Sequence, residues 1–171
     1  MILLILLTFY TSKVLSTNLT LIPQSGPSPP RMIRASATYY PGKDQILIFG
    51  GALDEYKKIL STLWYFNLKS LEWGEYFPQS SIIPPGLYSS LVFLGKDEKL
   101  YVLYGKKKDS ISSELFSFNF KDLRWSIEEL RGDYMQATYD SASCGFNYNN
   151  ESFLAVYGGL TTYQPSEDLY L

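Results

Sequence analysis

Three phrases of the chain end alike: "ILIFGG" at Ile46 to Gly51, "YVLYGK" at Tyr101 to Lys106, and "LAVYGG" at Leu154 to Gly159. Each is an apolar run that stops on glycine, and the runs recur at near-even distance. Gly50 to Gly105 spans 55 residues and Gly105 to Gly158 spans 53. The aromatic residues keep step, since Trp64 to Phe116 and Trp73 to Trp125 are both 52 residues. Each unit reads as a strand A, a turn, the apolar strand B, a loop and an aromatic strand C. In the first two units a strand D follows, carrying Trp73 or Trp125; the third stops after "EDLYL". A period near 50 residues with four short strands per unit marks a β-propeller. The 16% share of Phe, Trp and Tyr agrees, because aromatic side chains favour pleated, half-buried surfaces.

The physics of one unit accounts for the phrase. In a propeller both faces of each sheet lie against neighbouring sheets, so strand B is apolar on successive residues instead of alternating. The glycines follow where strand B ends close to packed neighbours, because a missing Cβ permits close approach and positive φ. Trp73 and Trp125 are expected to bury a large area against the adjacent sheet with their indole N–H groups paired.

At these residues the sequence resembles the Kelch repeat family. The match rests on Gly50-Gly51, Gly158-Gly159, the aromatic strand C segments and the two strand D tryptophans, and it covers about Pro30 to Leu171. The second unit departs from it, with Gly105-Lys106 in place of the glycine pair, which predicts a looser B–C corner there. The histidine common early in such repeats is absent. The resemblance implies an all-β, Kelch-type β-propeller with two complete four-stranded blades, residues 31–83 and 84–135, and an incomplete third, residues 136–171. Its structural motif positions are Gly50, Gly51, Trp64, Trp73, Gly105, Phe116, Trp125, Gly158, Gly159 and Tyr170. It also implies a protein-interaction module with a protein partner, or a glycan, on the face formed by the B–C and D–A loops. Those loops carry Asp54, Glu55, Lys57, Lys58, Arg131 and Asp133.

Two and three-quarter blades leave both outer faces bare, whereas propellers close with about four to eight. The expectation is therefore a piece of a longer propeller, a truncated product without independent function, or a part of an assembly that closes through other chains.

Ahead of the repeats, residues 1–16 read as a secretory signal peptide. Its apolar run is too short to span a membrane and is followed by a small-residue site at Val14-Leu15-Ser16. No Lys or Arg precedes the run, so an uncleaved anchor and a mis-assigned start remain alternatives. Two sequons, at Asn18 and Asn150, fit a secreted or extracellular glycoprotein. Residues 17–30 read as a Pro/Ser-rich linker. The single cysteine, Cys144, cannot form an internal disulfide and is expected to be a small buried residue.

The chain contains no histidine, which removes the imidazole that Ser-His-Asp and Cys-His catalysis and most zinc, copper and haem sites depend on. No catalytic residue, cofactor or metal ligand is assigned. A fragment of a carbohydrate-processing Kelch propeller enzyme is the rival reading. Two adjacent acid pairs, Asp54-Glu55 and Glu128-Glu129, read as loop charges. A net charge of −2 leaves no electrostatic footprint for nucleic acid, and Lys106-Lys107-Lys108 reads as a solvated loop. Arg131-Gly132-Asp133 resembles an adhesion tripeptide but is short enough to recur by chance.

Overall fold

The computed structural model describes residues 21–130 and 135–171. The signal peptide at 1–16, the Asn18 sequon and Arg131-Gly132-Asp133 lie outside the described residues. In chain order the strands are β1 (Ser36–Tyr40), β2 (Gln45–Phe49), β3 (Ala52–Leu53), β4 (Lys58–Ile59), β5 (Leu63–Asn67) and β6 (Glu72–Tyr76). Next come β7 (Leu91–Leu94), β8 (Lys99–Leu103), β9 (Leu115–Asn119) and β10 (Arg124–Glu128), then β11 (Ala142–Tyr148), β12 (Glu151–Tyr157) and β13 (Leu169–Tyr170). They form antiparallel sheets in the orders β1-β2-β5-β6, β7-β8-β9-β10 and β11-β12-β13, with β3-β4 a small ribbon in the first B–C loop. The fold is an all-β partial propeller. Its three inner strands lie side by side, β1 next to β7 and β7 next to β11.

Local chemistry sets the turns. "NLKSLEW" and "NFKDLRW" each place an Asn at the end of strand C, whose Oδ1 accepts a backbone N–H two residues on. Leu71 and Leu123 then take positive φ at matching points before strand D. Asn side chains that close such turns relieve the backbone of unpaired donors.

Alternation gives each sheet two faces, one toward the preceding blade and one toward the following blade. From the first sheet Leu47, Phe49 and Leu63 face forward, and from the second Leu100, Val102, Phe116, Phe118 and Trp125 meet them in one buried cluster. Trp125 sits edge-on to Phe49, with ring centroids 5.5 Å apart, and against Phe118 at 4.9 Å. A smaller cluster joins the second and third sheets through Leu91, Tyr104 and Val156. Gly145 belongs to this contact: a Cβ there would lie 2.5 Å from Cβ of Phe93.

The glycine corners fall into a register that differs from the one read in the sequence. Gly50, Tyr104 and Gly158 have φ of 68°, 57° and 68°, while Gly51, Gly105 and Gly159 have 96°, 97° and 94°. The second blade therefore pairs Tyr104 with Gly105, not Gly105 with Lys106. An aromatic residue occupies the first left-handed position there. Nor is that corner loose. Ser112 N–H donates to Gly105 O at 2.8 Å, as Leu60 N–H does to Gly51 O and Ser166 N–H to Gly159 O.

The Pro/Ser-rich stretch is part of this repetition too. Ser25 N–H donates to Leu71 O, and Trp73 N–H donates to Ser25 O. In the next blade Gln79 N–H donates to Leu123 O, and Trp125 N–H donates to Oγ of Ser80. Pro23-Gln24-Ser25 and Pro78-Gln79-Ser80 are the same words, each lying along the strand D that follows. Residues 23–30 are thus built like a connection between blades.

Three side-chain expectations are corrected. Trp73 is only half-buried: it packs on Phe66 of its own sheet and donates Nε1–H to Oε1 of Gln24 at 2.7 Å. The reason is its face, which is the one toward a preceding blade. Trp125 is buried as expected, but its Nε1–H meets no acceptor among the described residues. Cys144 is exposed, because it points to the forward face of the third sheet, which no other described strand covers.

Candidate functional site

The structural motif positions lie in blade corners and blade faces. Gly50, Gly51, Gly105, Trp64, Phe116 and Trp125 are buried, and Trp73, Gly158, Gly159 and Tyr170 are half-buried. Tyr170 pairs with Val156 as Trp64 does with Ile48 and Phe116 with Val102. Asn150 is exposed in the turn between β11 and β12, and its side-chain oxygen accepts from Nζ of Lys96.

On the face of the B–C and D–A loops the three blades converge on a different set of residues. Each connection pairs with the residue after the second corner position: Ile33 with Ala52, Tyr88 with Lys106 and Tyr139 with Leu160. The next residue in each connection is Arg34, Ser89 or Asp140, with φ of 55°, 52° and 56°. These three equivalent positions touch. Nη1 of Arg34 is 2.9 Å from Oδ2 of Asp140, Ser89 donates Oγ–H to Oδ1 of the same carboxylate, and Ser89 N–H donates to Arg34 O at 2.9 Å. One carboxylate thereby ties all three blades.

Aromatic rings surround this knot. The Arg34 guanidinium lies over Tyr56, 5.4 Å from its centroid, and over Tyr88 at 5.8 Å. Tyr56 and Tyr88 are 4.9 Å apart, and Tyr88 stands edge-on to Tyr139 at 6.3 Å. Nζ of Lys106 sits 5.5 Å above Tyr139 and makes no ion pair among the described residues. Burial, and next the neighbouring Tyr139, push the Tyr88 hydroxyl above its ordinary pKa, so it is neutral in the physiological range. Each cation–aromatic contact contributes about 0.5–1 kcal/mol at an exposed site, and an exposed ion pair about 0–1 kcal/mol. The cluster therefore orders the loop face without being a main source of stability.

The result is a surface of two half-buried tyrosines, Tyr56 and Tyr139, backed by buried Tyr88, with one cation partly neutralised, Arg34, and one, Lys106, without an ion pair among the described residues. Such a surface accepts planar apolar groups against its rings and anionic groups at its ammonium. Asp54 and Glu55 lie on a 3-10 turn at the rim, with Lys57 and Lys58 beyond it. Glu128 closes β10 and accepts from Oγ of Ser117 at 2.6 Å, so it is a sheet residue and not a loop charge. Sequence reading singled out none of Arg34, Tyr56, Tyr88, Ser89, Tyr139 and Asp140. Their signal was positional: "MIRAS", "LYSSL" and "TYDSA" occupy one slot in the repeat, visible once the corners are aligned.

Residues 6–171 match the family model described as the Attractin/LZTR1 beta-propeller. No curated protein matches the chain.

Proposed function

Because the chain belongs to the Attractin/LZTR1 beta-propeller family, we propose that it is a non-catalytic binding platform whose protein partner docks on the loop face. The observation that carries this reading is the cation–aromatic cluster, because residues of all three blades contribute to it. Tyr and Arg are the residue types that dominate contact energy at protein interfaces. The partner segment presents a carboxylate to Lys106 and an apolar or aromatic side chain to Tyr56 and Tyr139. The blades are of Kelch type, and the absence of histidine from the sequence speaks for binding rather than catalysis.

We also assign the chain to the secretory pathway, on the apolar leader at 1–16 and the exposed Asn150 sequon. Among the described residues no helix is long and apolar enough to cross a membrane.

The test compares proteins captured from the source tissue by the wild-type chain, by Arg34→Glu and Lys106→Glu, and by Lys121→Glu at the opposite end of the sheets. A partner retained by Lys121→Glu and lost by the other two supports the loop face. The reverse pattern moves the interface to the other end. Intact mass of the purified protein tests the route: loss of 1–16 and a glycan removed by mutating Asn150 are expected, and an unmodified Met1-to-Leu171 mass overturns it.

A further inference from the structure

The Asn150 sequon is exposed, yet it sits at the junction of the second and third blades. Asn149 and Asn150 make the two-residue turn between β11 and β12, with φ of 46° and 70°, a left-handed pair that Asn tolerates. The turn brings the sequon against Lys96, which lies in the turn between β7 and β8. Nζ of Lys96 donates to Oδ1 of Asn150 and, at 3.3 Å, to its backbone oxygen. Lys96 N–H donates to Oγ of Ser152 at 2.8 Å, and that hydroxyl donates to Oδ1 of Asn147 at 2.8 Å. Asn150 and Ser152, the two residues that define the sequon, therefore meet one residue of the neighbouring blade.

Asn150 itself lines a groove of about 590 Å³, together with Phe93, Tyr101, Lys96 and Asp97. The floor is aromatic: the half-buried rings of Phe93 and Tyr101 stack at 13° with centroids 5.1 Å apart. The third blade lays Gly145 against Phe93, so no side chain covers the rings from that position. Tyr101 donates its hydroxyl to Oδ2 of Asp97 at 2.9 Å, which sets a carboxylate beside Lys96 at the edge. An apolar floor with a few placed polar groups fits a pyranose, which has an apolar C–H face and a rim of hydroxyls. The junction is also the less tightly packed of the two. Its buried cluster is only Leu91, Tyr104 and Val156, and its backbone bond, Gly105 N–H to Thr138 O, is 3.3 Å long. The corresponding bond at the first junction, Gly51 N–H to Leu87 O, is 2.8 Å.

We propose that an N-linked glycan on Asn150 is a structural part of this junction: its first N-acetylglucosamine lies in the groove, with its apolar face on Phe93 and Tyr101 and its hydroxyls toward Lys96 and Asp97. The proposal rests on the assignment to the secretory pathway made above. Attachment forms a bond from Nδ2 of Asn150 to C1 of a lipid-diphosphate-linked oligosaccharide; the lipid diphosphate leaves, and one amide proton goes to solvent. Oδ1 is untouched by that step, so the contact with Lys96 persists in the glycosylated chain. A sugar held there spans the two blades and supplies the junction with burial that its own side chains do not. It is independent of the loop face, which lies at the other end of β11 and β12.

The experiment takes the full chain, expressed with its own leader in a secreting cell line, through intact mass and thermal unfolding. Three forms are compared: as made, with the glycan trimmed to its first sugar, and with the glycan removed. Trimming is expected to leave Tm unchanged, and complete removal to lower it by about 3 °C or more, the scale of one lost contact in a chain of this size. Enzymatic removal turns Asn150 into Asp, so Asn150→Gln is measured beside it and should show the same loss. In Tyr101→Thr, which takes away half of the floor, removing the glycan should no longer change Tm. Nuclear Overhauser contacts between the first sugar and the Phe93 ring, expected in the wild type, carry the test if Tyr101→Thr does not fold. A chain secreted without a glycan on Asn150 overturns both this proposal and the assigned route. A glycan whose complete removal leaves Tm unchanged, or whose trimming already lowers it, overturns this proposal and leaves the route standing.

Discussion

Gly50 and Gly158 occupy one position of the repeat, with the same φ of +68°, yet alanine is expected to have different consequences at the two. The shared part is the left-handed backbone, which an L-residue with a Cβ enters at about 1 kcal/mol. At Gly158 that is nearly all, since the nearest atom to an added Cβ is Ser166 O at 3.5 Å, an ordinary contact. At Gly50 the Cβ would lie 2.2 Å from Leu87 O, and that carbonyl accepts the Gly51 N–H across the first blade junction. The carbonyl must move by about an ångström, which breaks the hydrogen bond, about 1 kcal/mol, and parts a packed interface, about 1–3 kcal/mol. Gly158→Ala therefore costs about 1 kcal/mol and Gly50→Ala about 3–5 kcal/mol. In a chain of this size these correspond to about 3 °C and 10 °C of Tm. Both are read by urea and thermal unfolding. Equal losses at the two positions would refute the close-approach argument and leave only the φ term. Tyr104 shows the same logic in reverse, because the junction it faces has the longer 3.3 Å backbone contact and leaves room for a side chain.

Three further outcomes are expected. Phe118→Ala, at a fully buried position between Trp125 and Phe120, costs about 3–5 kcal/mol in urea unfolding, and a loss below 1 kcal/mol would refute the assigned core. Trp125→Phe stays within about 1 kcal/mol of wild type, because it removes a buried N–H without an acceptor together with some packing, whereas Trp125→Ala loses about 3–5 kcal/mol. Alkaline pH destabilises the fold in a defined window. Burial raises the Tyr76 hydroxyl from 10.0 to about 12, so the folded chain keeps a proton that the unfolded chain releases. The contribution of Tyr76 to stability is constant below pH 10 and is lost between pH 10 and 12. Phenolate absorbance followed against pH should show Tyr76 ionising only with unfolding, and early ionisation without loss of structure would refute it.

How far the sequence carried depended on which force set each residue. The strands of all three blades were legible, because apolar strand B, aromatic strand C and the strand D tryptophan are all selected by burial, and burial leaves the same residue types in each unit. The corner register was not. Left-handed backbone normally selects glycine, so a glycine-based alignment placed Gly105 opposite Gly50, while the structure tolerates Tyr104 there. Residues 23–30 were masked by their own composition: Pro and Ser read as linker, although their hydrogen bonds to Leu71 and Trp73 repeat those of the next connection. Cys144 and Trp73 were misjudged because burial was inferred from residue type, whereas Cys144 is exposed on the forward face of the third sheet and Trp73 is half-buried against Phe66 and Gln24.

The loop-face cluster was illegible for a deeper reason. Arg34, Ser89 and Asp140 share a repeat position and a backbone conformation but no side-chain chemistry, so nothing in the repeat predicts that they meet. Their contact depends on the angle between blades, and hence on the Leu47–Phe118–Trp125 packing beneath them. The knot joins the first blade directly to the third, through Arg34 and Asp140, and so reports any change in that angle. A fixed angle holds the Arg34 guanidinium over Tyr56 and Tyr88 and reduces the ordering cost for a partner that docks there.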